Sequence, residues 1–461
     1  MSDYADFISA KFRAHTASGF NYIDRNLPLF PHQYDLVRWA AKRGRAAIFA
    51  DTGLGKTRMQ LAWADAVVRH IGGDVLILAP LAVAEQTTEE GADIGVSVTH
   101  CRTGDDMRPG INITNYERLH RFDVSRVAGV VLDESSIIKH HDAKTFRILT
   151  EAFARTPYKL CATATPAPND WTELGTHAEF LGIRSRTEML AEFFTHDGGE
   201  TQVWRLKGHA RRAFWQWVAS WGAVIRSPED LGHDGSAYRL PGLHVTEHSV
   251  EHETAPADGM LFAVEALTLM DRRTARRDSL GARVDACAQI INADSEPWVV
   301  WCDLNAEGDA LRAAIPGAVE IRGSDDVDTK ERRLSDFAHG RIRVLITKPS
   351  IAGFGLNWQH CAQMAFVGVT DSFESYYQAV RRCWRFGQKR PVAVHIFASD
   401  AEGAIVANLK RKERDAAAMG DALAAETGDA VRAEVFGASK ETNAYHARTI
   451  VSPPSFLLES V

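Results

Sequence analysis

The sequence is short of cysteine, of long apolar runs and of surplus positive charge, and each shortage narrows what the chain can be. Its six cysteines (Cys101, Cys161, Cys287, Cys302, Cys361 and Cys383) are scattered without a Cys-x-x-Cys pair. That spacing offers no zinc site and points to reduced thiols used mostly as core fillers. The apolar run "VLILAPLAVA" at 75–84 is broken by a proline and falls well short of the roughly 18 residues a membrane span requires. "MSDYADFISAKFRAH" carries charges where a signal peptide has its apolar segment, so export and membrane partners are not expected and a cytoplasmic location is. A formal charge of −7 argues against coating nucleic acid over the whole surface, while leaving room for a local basic groove.

What is present is an ordinary globular composition over 461 residues, 45% hydrophobic and 25% charged, enough for two or three domains. From about 29 to 182 the apolar, β-rich runs "AAIFA", "VLILAP", "INITNY", "GVVLDE" and "KLCATATP" alternate with helix-forming segments, which predicts a parallel sheet covered on both faces. Residues 183–250, rich in Trp, Phe and Arg, read as a helical insertion and linker. A second alternation over 251–425 contains "WVVWCD", "AVEIRG", "RVLITK", "MAFVGV" and "AVHIFA". The expected fold is therefore α/β, two tandem parallel-sheet lobes with a helical insertion between them. Residues 1–28 form a lead-in, 403–425 a long helix, and 426–461 a poorly ordered tail.

"AIFADTGLGKTRMQLAWA" runs from strand through a glycine-bearing turn into a helix. Such a turn, Thr52–Gly53–Leu54–Gly55, can point its backbone N–H groups at a phosphate, aided by the helix N-terminus. Lys56 adds charge for the outer phosphates, and the Thr57 hydroxyl suits Mg²⁺. Ala50 stands where the strict pattern G-x-x-x-x-G-K-[ST] has its first glycine. Downstream, "AGVVLDES" ends a buried strand in two carboxylates; Asp133 is assigned to Mg²⁺ and Glu134 to the attacking water. "ATATPAPND" offers the Thr163 and Thr165 hydroxyls near the same sheet edge.

In the second lobe, Gln378, Arg382 and Arg385 are spaced i, i+4 and i+7, which on a helix is one face. Gly353 and Gly355 of "SIAGFGLNW" let backbone approach a ligand closely. An arginine reaching across a cleft to a γ-phosphate accelerates its transfer by about 10³ or more.

The order of "LFPHQ", "ADTGLGKT", "LILAPLAV", "ITNYERL", "LDESSIIK", "ATATP", "SIAGFGLNW" and "QAVRRCWRFGQ" resembles the superfamily 2 helicases and translocases, over about 29–425. The Swi/Snf-like branch is indicated by "DESSIIKHHDAKTFRIL", "NDWTELGTHAEFL", "VIRSPEDL" followed by "LPG", and the Arg-Phe-Gly-Gln ending. The resemblance implies RecA-like lobes, ATP and Mg²⁺ as ligands, and a DNA-stimulated ATPase, a translocase or helicase acting on double-stranded or branched DNA; the alternatives are an RNA or RNA-DNA helicase, or a nucleotide-gated DNA clamp without productive turnover. It also implies that Gln33 reads adenine and that Arg382 and Arg385 act as a finger pair. Pro80, Leu81, Thr114 and Tyr116 would lie near one nucleic-acid strand, and Thr163 and Asn357 join them. Ser136 stands where a DEAH box has histidine, which bears on coupling between hydrolysis and nucleic acid. The compact chain resembles motors encoded by phages and prophages, so the expected setting is the nucleoid of a bacterial or phage-infected cell, with phage or host replication, recombination or defence proteins as partners.

Two features stay open at the level of sequence. The arginines at 272, 273, 276 and 277 either follow a duplex backbone or form a solvated face. Trp215, Trp217 and Trp221 either pack the insertion onto the lobe, the expected role, or stack on a base.

Overall fold

The computed structural model describes residues 17–80, 83–167, 170–197, 200–250, 279–352, 357–368, 372–399, 411, 424–425 and 427–436. The first lobe runs α1 (Pro31–Arg43), β1 (Arg45–Ala50), α2 (Lys56–Ile71), β2 (Val75–Ala79), α3 (Val83–Asp93), β3 (Val98–His100), β4 (Ile111–Asn115), β5 (Gly129–Asp133), α4 (Lys144–Ala152), β6 (Tyr158–Ala162), α5 (Leu174–Phe180) and α6 (Arg186–Phe193). A hairpin, β7 (Phe194–Asp197) and β8 (Glu200–Leu206), then leads through α7 (Arg211–Ala219) into β9 (Gly222–Ile225). The seven-stranded sheet has the order β3-β4-β2-β5-β6-β1-β9, and its pairings are all parallel.

The second lobe contains β10 (Leu243–Val250), α8 (Leu280–Asn292), β11 (Trp298–Trp301), α9 (Asn305–Ala314), β12 (Val319–Glu320), α10 (Val327–Ala338), β13 (Val344–Thr347), α11 (Pro349–Ala352), β14 (Gln363–Phe366), α12 (Phe373–Val380) and β15 (Val392–Ser399). Its six strands are ordered β10-β15-β14-β11-β13-β12, again in parallel.

Strands buried on both faces need no polar alternation, and these have little. In β1, Ala46, Ile48 and Ala50 enter one core while Ala47 and Phe49 enter the core on the opposite face. In β11, Val299 and Trp301 face one core and Trp298 and Val300 the other. Each lobe thus has two apolar layers, and its parallel strands deliver their carboxyl ends to one edge, where the conserved geometry of such sheets puts ligands.

The sheet boundaries fall differently from the sequence reading of 183–250. Strand β9 pairs with β1, so the first sheet extends to Ile225, and β10 pairs with β15, so the second begins at Leu243. Ahead of β9, residues 186–219 form a hairpin and two helices rather than a purely helical insertion, because the β-rich segments "FTHD" and "ETQVWRL" pair with each other. Trp215, Trp217 and Trp221 are buried with Phe49 and Phe214 in the first lobe, which excludes base stacking in this arrangement.

Residues 427–436 are helical and dock on the first lobe, with Val431 and Val435 in its core and an Arg43–Glu434 ion pair. For them the expectation of a disordered tail is corrected. Most of 403–425, and the arginines at 272, 273, 276 and 277, lie outside the described residues. The six cysteines are buried and free. Among the described residues no helix is long and apolar enough to cross a membrane.

Candidate nucleotide cleft between the lobes

The phosphate loop forms because two glycines take left-handed backbone. Gly53 has φ 91° and Gly55 φ 78°, conformations that disfavour a Cβ. Space forbids one as well: a Cβ on Gly55 would lie 2.1 Å from Gln33 Nε2, and one on Gly53 would lie 2.9 Å from Phe386 Cβ in the other lobe. Gly55 caps α2, whose first turn carries no acidic side chain, so its unpaired N–H groups face the cleft with their attraction for anions intact. Lys56 Nζ donates to the carbonyls of Ala50 at 3.0 Å and Asp51 at 3.4 Å, tucked back along the strand end. Burial lowers its pKa, opposed by Glu134, Asp51 and Asp133.

Gln33 is fixed at both ends of its amide. Its Oε1 accepts from Phe30 N–H at 3.0 Å, while Nε2 donates to the Leu54 carbonyl at 3.0 Å. One N–H and one lone pair remain, an oriented donor–acceptor pair of the kind an adenine edge requires.

Asp133 and Glu134 sit at the end of β5, both buried. Gln60, one helical turn beyond Lys56, donates from Nε2 to Asp133 Oδ1 at 2.6 Å. Burial, followed by the charge of Glu134, pushes the Asp133 carboxyl up to about 6. Such a carboxylate favours a cation beside it, and with the Thr57 hydroxyl on the same cavity it forms an oxygen donor set suited to Mg²⁺. Next to this pair, Ser135 Oγ lies 3.1 Å from His177 Nε2 of α5. Burial lowers the His177 pKa to about 4, which keeps the ring neutral, and Ser136 is buried alongside.

The second lobe closes over this edge. Helix α12 ends at Val380, and Arg381 to Gly387 continue in turns, so Gln378, Arg382 and Arg385 do not share one helical face as their spacing predicts. Gln378 nevertheless organises Arg382, accepting from its Nε at 2.9 Å through the backbone carbonyl and from a terminal nitrogen at 3.1 Å through Oε1. The same Gln378 donates from Nε2 to Thr165 Oγ1 across the cleft at 3.4 Å. Thr165 N–H donates to Thr163 Oγ1 at 3.2 Å, and Thr163 donates to Glu134 Oε2 at 3.5 Å. A chain of hydrogen bonds therefore runs from Glu134 of the first lobe to Arg382 of the second. Burial first, and then Arg382, lowers the Arg385 pKa to about 10, which leaves it charged at neutral pH.

These groups surround one cavity of about 340 Å³, lined by Lys56, Thr57, Asp133, Glu134, Arg382 and Arg385 at the phosphate end and by aromatic rings elsewhere. Phe30, Tyr238 of the linker and Phe386 of the second lobe form that aromatic part, with Tyr238 and Phe386 stacked at 4.6 Å and Phe30 edge-on to Tyr238 at 5.7 Å. The sequence reading missed Gln60, Asp51, Arg381, Tyr238 and Phe386. Gln60 carried a signal, a polar residue set four positions after Lys56 amid "LAWA"; Tyr238 carried none.

The expected nucleic-acid contacts fare differently. Thr114 is fully buried in β4, and Tyr116 is half-buried with its hydroxyl donated to the Asp133 carbonyl at 2.7 Å. Thr163 is buried against Glu134, and Asn357 lines the nucleotide cavity, its N–H donating to Gln86 Oε1 at 3.1 Å. The carboxyl ends of the parallel strands lie at the interlobe edge, which puts Thr163, just beyond β6, beside Glu134. Pro80 lies half-buried at the end of β2. Leu81 and Gly355 fall outside the described residues.

Two parallel α/β lobes that share a phosphate loop, a carboxylate pair and arginines across one cleft define a RecA-like nucleoside triphosphatase architecture. The SNF2-related domain matches residues 32–215, and the helicase conserved C-terminal domain matches 286–387. Protein p41 of Acyrthosiphon pisum secondary endosymbiont phage 1 is 22% identical over 449 residues, covering 83% of this chain and 96% of its own length. The structure of S. cerevisiae Dbp5 bound to RNA and ADP BeF3 has a TM-score of 0.54 at 12% identity, over 87% of this chain and 98% of that one, a likeness of fold. The chain belongs to the Snf2-like superfamily 2 helicases and is a helicase-like ATPase.

Proposed function

We propose that the chain is an ATP-driven translocase on double-stranded or branched DNA. The observation that carries this reading is the single cavity lined from one side by Lys56, Thr57, Asp133 and Glu134 and from the other by Arg382 and Arg385. Two half-sites that complete each other only when the lobes meet make hydrolysis depend on closure, and closure is the motion a translocase uses. The SNF2-related first lobe and the Arg-Phe-Gly-Gln ending favour duplex DNA over RNA as the track.

In this proposal the backbone of Thr52–Gly55 and Lys56 hold the outer phosphates, and Gln33 selects adenine. Thr57 and Asp133 would hold Mg²⁺, which neutralises phosphate charge when bound. Glu134 orients the attacking water and accepts its proton, while Arg385 and Arg382 balance charge on the transferring phosphoryl group. The Glu134–Thr163–Thr165–Gln378–Arg382 chain ties the base to the arginines, so loss of γ-phosphate charge loosens both together. Duplex DNA bound across the lobes would move as they close and reopen, in the company of phage or host replication, recombination or defence proteins.

The test compares ATPase activity with duplex DNA, single-stranded DNA and RNA, and triplex displacement, for wild type, Lys56→Ala and Arg385→Ala. Stimulation greatest with duplex DNA is expected. Lys56→Ala should lose nucleotide binding, and Arg385→Ala should bind ATP yet lose about 10³ in turnover. Stimulation by RNA alone would overturn the DNA assignment, and full activity in Arg385→Ala would overturn the finger assignment.

A further inference from the structure

Asp51, the first residue after β1, is bonded on both of its carboxylate oxygens. Oδ1 accepts from Thr52 N–H at 2.6 Å and from Thr52 Oγ1 at 3.2 Å, which shapes the start of the phosphate loop. The other lobe takes the rest of the group: Tyr377 donates its hydroxyl to Oδ1 at 3.1 Å, and Arg381 donates to Oδ2 at 3.4 Å. Arg381 is itself held in place. Its Nε donates to the Tyr377 hydroxyl at 3.1 Å, and its guanidinium lies 5.1 Å from the Tyr377 ring centroid and 4.8 Å from that of Trp384. Only 10% of the Arg381 side chain and 17% of that of Asp51 are exposed, so water and salt screen the pair weakly.

The neighbours along the chain give this contact its meaning. Arg381 immediately precedes Arg382, which is bonded to Gln378 and through it to Thr165; Asp51 immediately precedes the loop that ends in Lys56. One bridge therefore sets the register between the phosphate loop and the arginine segment. A shift of about 1 Å between reacting groups costs on the order of a hundredfold in rate.

We propose that Arg381 is a positioning residue: by clamping Asp51 it seats the second lobe's arginine segment on the phosphate loop, before nucleotide arrives, so that Arg382 and Arg385 are delivered to the correct place. The inference rests on the ATPase reading given above. It requires Arg381 to touch neither phosphate nor metal, only the loop that holds them.

Steady-state ATPase with saturating duplex DNA tests it, alongside nucleotide affinity and an interlobe fluorescence-transfer pair in nucleotide-free protein. Arg381→Gln is expected to lower kcat on the order of a hundredfold while ATP affinity changes by less than about fivefold, and to reduce closure without nucleotide. Arg381→Lys, which keeps a charge within reach of Asp51, should recover most of the rate. Asp51→Asn should reproduce the defect, and the double variant Asp51→Asn/Arg381→Gln should be no worse than either single one, the non-additivity of groups acting as one unit. Unchanged kcat in Arg381→Gln, or additive losses in the double variant, would overturn the proposal while leaving the ATPase reading intact. Absence of turnover in the wild type would instead remove that reading itself.

Discussion

Among the described residues two arginine–carboxylate seams join the lobes, and their polarity is opposite. At the near seam the first lobe supplies the acid, Asp51, and the second supplies the base, Arg381, at 3.4 Å. At the far seam the first lobe supplies the base: Arg118, beyond the end of β4, reaches Asp328 at 2.9 Å and Glu331 at 3.1 Å on α10. Asn115 Nδ2 adds a bond to Glu331 Oε1 at 3.1 Å, and its Oδ1 accepts from Arg118 N–H, so the arginine's own turn is capped by its neighbour in the cluster. The near seam lies one residue from the phosphate loop on one side and one residue from Arg382 on the other. The far seam touches neither. Both seams hold the lobes together, but only the near one abuts groups assigned to the chemistry, so breaking the far seam should cost closure while leaving the cavity residues in place.

The largest effect on closure is expected from reversing the far seam. The Arg118 side chain is only 6% exposed, and Arg118→Glu would place three carboxylates together with only the exposed Arg102, 3.6 Å from Asp328, left as a cation beside them. Breaking a buried pair costs about 3–5 kcal/mol, and the 59% exposure of Asp328 discounts that figure, so a loss of about 2–3 kcal/mol is expected in denaturant unfolding. Closure without nucleotide should fall further than in Arg381→Gln, because only the near seam then holds the lobes. Turnover at saturating ATP and DNA should fall by less than about tenfold, because the cavity residues are untouched. Salt sharpens the contrast, since Arg102 and Asp328 at the far seam are 62% and 59% exposed: raising ionic strength should weaken closure through the far seam more than through the near one. A far-seam variant that lost kcat as deeply as Arg381→Gln would erase the distinction.

A smaller and pH-dependent effect belongs to Asp133. Its carboxyl is raised to about 6 by burial and by Glu134. Between about pH 4, where an unfolded aspartate gives up its proton, and about pH 6, the native chain holds a proton that the unfolded chain has released. The contribution of this group to stability therefore declines as pH rises through that window. Mg²⁺ competes for the same oxygens, so its apparent affinity should weaken as pH falls below about 6, approaching tenfold per unit. Titrating Mg²⁺-dependent ATPase activity from pH 5 to 8 checks this, with the near seam as an internal reference: Arg381 holds the Asp51 carboxyl below its usual range against the cost of burial, so closure should persist where metal binding has failed. Mg²⁺ affinity that is flat across pH 5–7 would remove Asp133 from the metal set.

How much of this was legible in the sequence follows from the range over which each signal acts. Strands such as "VLILA" and "WVVW" announced themselves by unbroken apolar β-rich runs, and Gly55-Lys56-Thr57 by local spacing, because both depend on neighbours within a few residues. Strand β9 did not, since "GAVI" is four residues long and becomes a strand only by pairing with β1, 175 residues earlier in the chain. The i, i+4, i+7 reading of Gln378, Arg382 and Arg385 assumed a helix that ends at Val380; Gln378 and Arg382 meet through hydrogen bonds instead, and Arg385 joins Arg382 on the wall of the cavity. Arg381 carried no signal of its own in the sequence, and only the fold brings it to a residue 330 positions away.

The smallest effect is expected where the comparison is finest, in the hydrogen bonds that link the near seam to Glu134. The Gln378–Thr165 and Thr163–Glu134 bonds are long, 3.4 and 3.5 Å, and bonds of that length are weak in the ground state. Thr165→Val is nearly isosteric and removes the oxygen that Gln378 Nε2 reaches across the cleft, while leaving the Thr165 N–H bond to Thr163. A neutral hydrogen bond contributes about 0.5–1.5 kcal/mol, so kcat should fall by about two- to tenfold with ATP affinity unchanged if the bond tightens on the way to the transition state. Glutamine at 378 would still hold Arg382 through its Oε1, so the loss must be smaller than for Arg381→Gln. Thr165→Val combined with Arg381→Gln then decides whether the seam acts through this chain or beside it: losses that do not add place both on one route from lobe closure to Glu134, whereas losses that add make the seam a clamp whose effect reaches the arginines directly.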